Sequence, residues 1–532
     1  MTKKYLFVLL ITLNFAISAD EGMWEPHQME LLKKELRASG YKRSVSNVSN
    51  LFKHPMSAIV SLGGCSAAFV SQDGLIATNY HCIERSFLQF NSNAESDLFE
   101  TGFVARTKDA EKRSAPGARV YVTLESNEIT EQVLAGLTDD TKAIDRAKII
   151  EDNKKEIIKN CETSDEFECR VKSFFSGETY KLEKVLKIKD IRLVYAPPSY
   201  IGEYGGEIDN WMFPRHTGDF ALLRAYTAQD GSSEEYNEDN IPYKSDSFLK
   251  ISAKGVDDND FVMVVGYPGR TNRTITFNEI KWDLEIGFQE TVKFLERGIE
   301  LMDENTNSSD GSILKYRGLK SGYENYHKKI SGQIDGASNF KLLETEKIKW
   351  TQFLDFVENQ ATEIDKNYLN ELLNLINQDH EKAIAKRYYG NSSLISQAKI
   401  IYRNAFEKGK TDAERKPGYQ ERDQERITNR IKSLDYSFDP RVDKAIFKDR
   451  LMVYAGIDSS LRRIVYSKLL KLDESEDMIL KKVDEIYSTK YKNSEGFLTM
   501  LEMTFDELNE SSDPLIIFAK ETFNESMEYE KE

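Results

Sequence analysis

The chain is short of the residues that several functional classes require. Its 532 residues include only four cysteines and six histidines. No H-E-x-x-H motif occurs, which excludes the helical zinc site of many metallopeptidases, and we expect neither a metal nor a cofactor. Positive charge is also in deficit, because the net charge is −16 at pH 7 and the isoelectric point is near 5.2. Such a protein should repel nucleic acid and anionic membranes, so we expect neither as a partner.

Long apolar runs are absent apart from one near the N-terminus. This run extends from Tyr5 to Ile17, follows two lysines and closes on the small residues Ser18 and Ala19. It is shorter than the roughly 20 apolar residues that a membrane-spanning helix needs. A basic start, a short apolar stretch and a small-residue end are typical of a secretory signal peptide. We therefore expect cleavage of residues 1–19, export to the periplasm or cell surface, and no membrane span in the mature protein.

The four cysteines form two local pairs, Cys65 with Cys82 and Cys161 with Cys169. An exported protein meets an oxidising compartment in which disulfides form. Three connectivities are possible for four cysteines, and these two pairs close the shortest loops. Neither pair has the C-x-x-C spacing of common structural zinc sites. The sequence therefore favours two disulfides over a zinc site.

The first half of the chain is rich in predicted strands. Short segments with β-branched or aromatic residues are bounded mostly by turn residues, which is typical of strands. These segments are Ser57–Leu62, Ser66–Val70, Leu75–Thr78, Arg119–Leu124, Ile191–Tyr195, Phe220–Tyr226 and Asp260–Gly266. Between them, Thr141–Phe175 is predicted to be helical and holds the second cysteine pair.

The second half differs in composition. Proline is absent from Thr276 to Arg415, and apolar residues recur at helical spacing between Phe353 and Leu375. A charged stretch with glycine and proline, Lys408 to Arg426, interrupts this pattern before helices resume. The composition therefore predicts a β-rich region followed, from about residue 275, by a mostly helical one.

The most informative motif lies between Gly63 and Cys82. It contains G-G-C, a turn at S-Q-D-G, and T-N-Y-H-C, so that His81 directly follows the second of two short strands. A general base needs one ring nitrogen aimed at a nucleophile and the other held by a carboxylate. A disulfide at Cys82 would fix the backbone around His81. We therefore predict that His81 is catalytic; the alternative is a structural histidine beside a disulfide.

A second polar segment, Gly205 to Phe220, leads directly into an apolar strand. Its polar side chains are therefore expected to line a cleft. Asp219 lies at the strand start, where its carboxylate is placed to accept a hydrogen bond from His81 and set the tautomer of the ring. Asp219 could instead cap a turn or the strand. The competing candidates in the segment are Asp209, Arg215 and His216, of which His216 is the alternative base.

These two segments, with the mature start A-D-E-G-M-W, resemble the bacterial dipeptidyl-peptidases 7 and 11. Those proteins are exported serine exopeptidases that release dipeptides from the N-termini of oligopeptides. The resemblance implies that His81 is the general base and that Asp219, in H-T-G-D-F, orients it. It also implies a clamp for the free α-amino group of the substrate, formed by Asn210 and Trp211 in D-N-W-M and by Asn325 in N-Y-H-K.

The same resemblance implies an α+β fold, a chymotrypsin-like double β-barrel with a large inserted α-helical cap domain. Residues 20–274 would form the barrel region, with Ile251–Tyr267 starting the second barrel, and residues 275–532 would form the cap. The expected partners are oligopeptide substrates, and a homodimer is left open.

The nucleophile motif of that family, G-N-S-G-S-P, does not occur in the sequence. The nearest string, Gly390-Asn391-Ser392-Ser393, lacks the glycine after the serine, and we expect Ser392 or Ser393 to be a helix N-cap. Without the serine, the acyl-enzyme and the adjacent oxyanion-hole amides are missing. We therefore expect an inactive fragment, truncated before the nucleophile and with an incomplete second barrel. The alternative is a non-catalytic peptide-binding pseudoenzyme.

Overall fold

The computed structural model describes residues 23–93, 95–269, 275–389 and 392–530. The expected signal peptide therefore lies outside the described residues. Among these residues, strands occur only in the first half and α-helices dominate the second, so the protein has the expected α+β composition. None of the helices in the described ranges is long and apolar enough to cross a membrane.

Eleven short strands of the described chain pair antiparallel into one sheet. The strands are β1 Ile59–Ser61, β2 Ser66–Phe69, β3 Leu75–Thr78, β4 Phe103–Val104, β5 Lys112–Arg113, β6 Val120–Glu128, β7 Phe167–Phe174, β8 Thr179–Ile188, β9 Asp190–Ala196, β10 Ala221–Thr227 and β11 Ile241–Pro242. Their order is β4-β9-β10-β3-β2-β1-β6-β8-β7, with β11 paired to β10 and β5 to β9. Helices α1 Lys33–Ala38, α2 Leu98–Thr101, α3 Thr130–Val133, α4 Ala143–Cys161, α5 Ser199–Gly202 and α6 Gly206–Asp209 connect them.

The turn between β2 and β3 depends on Gly74. Its φ is +69°, and a Cβ atom there would lie 2.8 Å from the carbonyl oxygen of Ala225 and 2.9 Å from that of Tyr243. Only glycine meets both conditions. On the other side of β3, Thr78 is paired with Ala221 of β10. Because the two strands are antiparallel, the chain that leaves β3 lies beside the chain that enters β10.

Two predicted elements are wrong. The helix predicted over Thr141–Phe175 ends at Cys161, and β7 follows, forming a hairpin with β8. The strand predicted over Asp260–Gly266 does not form, since this segment pairs with no described strand. Phe261 and Val265 pack against Tyr41 and its neighbours instead, and Val264 is fully exposed. An apolar segment forms a strand only where a neighbouring strand pairs with its backbone N–H and C=O groups.

The second half is helical, as predicted. Its helices are α7 Phe277–Trp282, α8 Phe288–Asn305, α9 Ser312–Asn339, α10 Leu342–Gln360, α11 Glu363–Tyr388, α12 Ser393–Lys408, α13 Gln424–Lys432, α14 Leu434–Ser437, α15 Pro440–Ala455, α16 Ile464–Leu470, α17 Glu476–Ile486, α18 Ser494–Leu501, α19 Phe505–Asn509 and α20 Pro514–Tyr529. The charged interruption falls between α12 and α13, as expected. A capping box between Thr362 and Asp365 starts α11 and breaks the apolar repeat into two helices.

The two halves meet near the turn that follows β3. A short helical segment of π type, Glu84–Gln89, contacts α9. The buried amide of Gln89 donates to the carbonyl oxygens of Lys315 at 2.8 Å and Tyr436 at 2.7 Å. The segment that carries His81 is thus hydrogen-bonded to the helical half.

Candidate active site

His81 and Asp219 form a hydrogen-bonded pair at the meeting point of β3 and β10. The distance from His81 Nδ1 to Asp219 Oδ2 is 2.9 Å, and the backbone N–H of His81 donates to Asp219 Oδ1 at 3.2 Å. Asn79 Nδ2 donates to Asp219 Oδ2 at 3.1 Å. Because the carboxylate accepts a proton-bearing Nδ1, the lone pair of the neutral ring lies on Nε2. That nitrogen forms no hydrogen bond with any described residue.

Exposure separates the two partners. The side chain of Asp219 is 9% exposed, whereas that of His81 is 58% exposed. Burial raises the pKa of the Asp219 carboxyl, but the hydrogen bonds and charge of His81, with the charge of Arg215, outweigh burial and lower its pKa overall. The pair therefore consists of a shielded carboxylate and a ring that solvent and ligands can reach.

A disulfide fixes the chain on both sides of this histidine. Cys65 and Cys82 are joined, with their Cα atoms 6.0 Å apart. This bond connects the residue before β2 to the residue after His81, in the pairing that the sequence favoured. The second disulfide, Cys161–Cys169, joins the end of α4 to β7. Cys65, Cys82 and His81 lie close enough to suggest a metal site, but disulfide sulfurs offer no thiolate ligand.

The competing residues of the polar segment do not form an equivalent pair. His216 is exposed and has no hydrogen-bond partner among the described residues. Arg215 approaches Asp219 with its Nη2 3.8 Å from Oδ2, which supports the ionised carboxylate without replacing His81. Among the described residues, Asp219 is thus hydrogen-bonded to His81 and not to His216.

Asn210, Trp211 and Asn325 form the second part of the site. Asn325 Oδ1, on α9, accepts hydrogen bonds from Asn210 Nδ2 at 2.8 Å and from Trp211 Nε1 at 2.9 Å. Trp211 has a φ of +59°, which is unusual for a bulky residue and is typical of functional sites. The structure therefore brings Asn325 together with Asn210 and Trp211, which lie more than a hundred positions earlier in the chain, at a surface where Trp211 and Phe213 are exposed.

Ser392 lies elsewhere, in the interior of the helical half. It is 2% exposed and caps α12 by accepting from the backbone N–H of Ile395 at 3.1 Å. Its hydroxyl donates to Asp443 Oδ2 at 2.8 Å. The N-cap prediction is confirmed, and this hydroxyl is closed to a substrate.

Sequence reasoning missed a group of four side chains beneath the His81 segment: Tyr80, Glu84, Glu203 and Arg317, here called the carboxyl cluster. Glu84 is buried, and its carboxyl is in hydrogen-bonding contact with that of Glu203. The one sequence signal was an acidic residue one helical turn after His81.

The sequence profile described as Peptidase S46 matches residues 19–532. The chain belongs to the peptidase S46 family. By family it is a serine-type dipeptidyl-peptidase, a hydrolase, as the resemblance implied.

Curated relatives carry that activity in their names. The chain is 35% identical over 530 residues to an Asp/Glu-specific dipeptidyl-peptidase of Shewanella putrefaciens, covering 99% of this chain and 72% of the relative. It is 27% identical over 473 residues to dipeptidyl-peptidase 7 of Capnocytophaga gingivalis, covering 85% of this chain and 64% of that one. The crystal structure of Porphyromonas endodontalis DPP11 in complex with the dipeptide Arg-Glu matches with a TM-score of 0.75 at 24% identity, covering 96% of this chain and 74% of that chain. The fold is shared.

Proposed function

We propose that this chain recognises the free N-terminus of an oligopeptide and carries the general base of a serine dipeptidyl-peptidase. His81 is the base, and Asp219 sets its tautomer. The observation that carries the proposal is the 2.9 Å contact between the exposed ring and the shielded carboxylate. Such a pair removes a proton from a hydroxyl that approaches Nε2 and stabilises the imidazolium that forms.

Asn210, Trp211 and Asn325 are proposed to bind the α-ammonium group of the peptide. The side-chain oxygen of Asn325 is already aligned by two donors, and the amide of Asn210 is held at 2.8 Å from it. Oriented amide oxygens suit a cationic amine because they replace its water ligands in a fixed geometry. Anchoring the N-terminus at one end of a cleft limits the number of residues that reach the base, which is the basis of dipeptide release.

For the architecture we propose the double barrel with a helical cap, with residues 20–274 as the barrel region and residues 275–532 as the cap. The segment 251–269 is compatible with a start of the second barrel, because it belongs to no described helix and pairs with no described strand. Val262 and Val264 expose apolar side chains there, a surface that further strands could cover. The placement of Asn325 in the helical half supports a cap that contributes to substrate binding.

The two disulfides support an exported protein, in the periplasm or at the cell surface. For the polypeptide of 532 residues we propose binding without turnover. The sequence contains no G-N-S-G-S-P motif, and Ser392 is occupied as a helix cap. Activity would require a serine hydroxyl delivered to His81 Nε2 from a chain that carries that motif.

The test uses the purified chain and tripeptides with free or acetylated N-termini, with affinities measured by calorimetry. We expect binding of the free form and about tenfold weaker binding after Asn325→Ala, since hydrogen bonds to a charged group are lost. His81→Ala should leave the affinity unchanged. Equal binding of acetylated and free peptides would contradict the clamp.

Turnover is tested separately with chromogenic dipeptide substrates and a serine-reactive phosphonate. We expect neither hydrolysis nor labelling by this chain. Hydrolysis that Ser392→Ala abolishes would overturn the proposal. The same assay is then run on a polypeptide extended with any residues that are encoded downstream of this chain. Peptide binding without turnover by that polypeptide would favour the pseudoenzyme.

A further inference from the structure

The carboxyl cluster joins three separate segments directly beneath the candidate site. Glu84 begins the helical segment that follows His81, Glu203 directly follows the short helix α5, and Arg317 belongs to α9. Arg317 Nη2 lies 2.9 Å from Glu203 Oε2, and its guanidinium stacks 4.1 Å above the ring of the buried Phe99. Two carboxyl groups and one guanidinium therefore meet where the two halves of the molecule touch.

The packing around these groups is tight. Tyr80, the residue before His81, is fully buried, and its ring lies against Gly202 so closely that a Cβ atom on Gly202 would be 2.5 Å from it. The Tyr80 hydroxyl is also buried and has no hydrogen-bond partner among the described residues. Glu84 is 6% exposed. Water therefore has little access to the Glu84 carboxyl, whereas the side chains of Glu203 and Arg317 are 27% and 32% exposed.

Two carboxylates in such a place cannot both be ionised without a large cost. Arg317 supplies a single positive charge and is directed at Glu203. Glu84 is therefore the carboxyl that retains a proton. Burial, then the charge and hydrogen bond of Glu203, raise the pKa of Glu84 to about 9, against the smaller opposing effect of Arg317.

We propose that the buried carboxyl of Glu84 keeps a proton and donates it in a hydrogen bond to the carboxylate of Glu203, and that these two residues and Arg317 act as positioning residues that set the His81 segment relative to the amine-binding residues. The inference rests on the proposed function only for its effect on peptide binding. Glu203 begins the loop that leads through α6 to Asn210 and Trp211, and Arg317 precedes Asn325 by about 12 Å along the same helix. The proton that Glu84 donates to Glu203 thus couples the base to both parts of the clamp.

The charged and titratable groups that face Glu84 set the direction of the pH dependence. They are Glu203 and Arg317, which contact it, Asp219 and Tyr80 on the side of the sheet, and Asp97, which acts on Tyr80. Because the folded pKa of Glu84 lies above its ordinary value, folding takes up a proton between the two values. Its contribution to stability is complete below about pH 4 and declines as the pH rises towards about 9.

The first test detects the proton directly. Infrared spectroscopy of the purified chain at neutral pH should show a buried carboxylic acid C=O band that disappears as the pH is raised through about 9. Glu84→Gln should remove this band. Glu111→Gln is the matched control, because Glu111 is equally buried but is paired with Arg224 at 2.9 Å, and the band should persist. A wild-type spectrum without the band overturns the inference.

The second test uses the asymmetry of the pair. Glu84→Gln mimics the protonated carboxyl, so the affinity for a free tripeptide at neutral pH should stay within about twofold of wild type. Glu203→Gln removes the charge that Arg317 needs, and the affinity should fall about fivefold or more. Equal effects of the two variants overturn the inference, as does a loss of binding in Glu84→Gln with the fold intact.

The third test compares the peptide affinities of wild type and Glu84→Gln above neutral pH. The peptide's own amine loses its proton near pH 8, so both proteins lose affinity there. Wild type should lose about fivefold more than Glu84→Gln by about pH 10. If wild type binds no peptide, the proposed function fails while the infrared band and the pH dependence of thermal unfolding still decide this inference. A melting temperature whose pH slope is the same in wild type and Glu84→Gln overturns it.

Discussion

The two halves of the molecule each contain a carboxylate with hydrogen-bonding neighbours, and they treat it in opposite ways. In the sheet region, Asp219 faces an exposed ring whose second nitrogen is open to ligands. In the helical region, the buried Asp443 accepts hydrogen bonds from the Ser392 hydroxyl, from the Tyr487 hydroxyl at 2.6 Å and from the Ser393 N–H at 2.7 Å. The His81–Asp219 pair leaves Nε2 of the ring free to act on a ligand. The donors around Asp443 are all used in hydrogen bonds that stabilise the fold.

The difference teaches how to judge a serine near an aspartate. Ser392 lies in a glycine-asparagine-serine string, where the sequence predicts a helix N-cap, and its hydroxyl contacts a carboxylate in the structure. Its hydroxyl is saturated, however, and no histidine contacts it among the described residues. Exposure and unfilled hydrogen-bonding capacity, more than residue type, separate the two constellations.

The largest expected loss of stability comes from removing Asp443, the acceptor at the centre of the buried hydrogen-bond network in the helical half. Asp443→Ala should lower the free energy of unfolding by about 3 to 4 kcal/mol, because two hydroxyls and two backbone N–H groups lose their acceptor in a dry core. Urea denaturation followed by circular dichroism measures this loss.

Asp439→Ala is the control for that prediction. Asp439 caps the same helix, α15, but its partner Arg441 is exposed, so the loss should be about 1 kcal/mol. Equal losses in the two variants would contradict the distinction between a fully buried carboxylate with four donors and a partly buried one that pairs with an exposed arginine.

Removing each disulfide in turn tests how much it stabilises the fold and the position of the His81–Asp219 pair. Cys65 and Cys82 are separated by 17 positions and Cys161 and Cys169 by 8. Loop-closure entropy predicts losses of about 3 kcal/mol and about 2.5 kcal/mol for the corresponding double serine variants. Thermal unfolding under non-reducing conditions provides the measurement.

Only the first disulfide borders His81, so the two variants should differ in the site as well. A two-dimensional NMR spectrum of ring-labelled histidine should show a displaced His81 resonance when Cys65 and Cys82 are replaced, and an unchanged one for the other pair. An identical His81 signal in both variants would show that the hydrogen bonds of Asp219 hold the ring without the disulfide.

The sequence predicted the strands around the site and failed where tertiary pairing decides. β2, β3 and β10 lie within a residue or so of prediction, because apolar alternation and a glycine turn define them locally. The β7–β8 hairpin was missed, since its lysines and glutamates disguise the alternation and are stabilised by cross-strand pairs such as Lys172–Glu183 at 2.7 Å. The segment 260–266 has strand composition but no described partner.

Sequence motifs predicted the His81–Asp219 pair at the candidate site. They did not predict the carboxyl cluster that packs beneath the His81 segment. His81 and Asp219 lie next to strands in distinctive motifs, so their contact follows from pairing β3 with β10. Glu84, Glu203 and Arg317 are more than a hundred positions apart in succession. Apart from the position of Glu84 one helical turn after His81, nothing in their local sequences marks them, because their meeting depends on how α9 docks against the sheet region.

Removing Ser392, which caps α12 beside Asp443, should lower the free energy of unfolding by a smaller amount. Ser392→Ala should cost about 2 kcal/mol, since it removes an N-cap and leaves the Tyr487 hydroxyl and Asp443 each one partner short. Chemical denaturation checks the value. Ser393→Ala, with an exposed side chain at the next position, should cost under about 0.5 kcal/mol.

The smallest effect is expected from Asp219, and its pH dependence identifies it. The folded pKa of Asp219 is lowered, so its contribution to stability is present above the ordinary value of about 4 and disappears as the pH falls through the folded value. Because His81 is more than half exposed, this contribution should stay below about 1 kcal/mol. Thermal unfolding from about pH 7 to about pH 2 should show Asp219→Asn below wild type at neutral pH, with the gap closing in acid. A gap that widens as the pH falls would mean that Asp219 is held protonated in the folded protein, and the pair would then lack the carboxylate that a base at His81 requires.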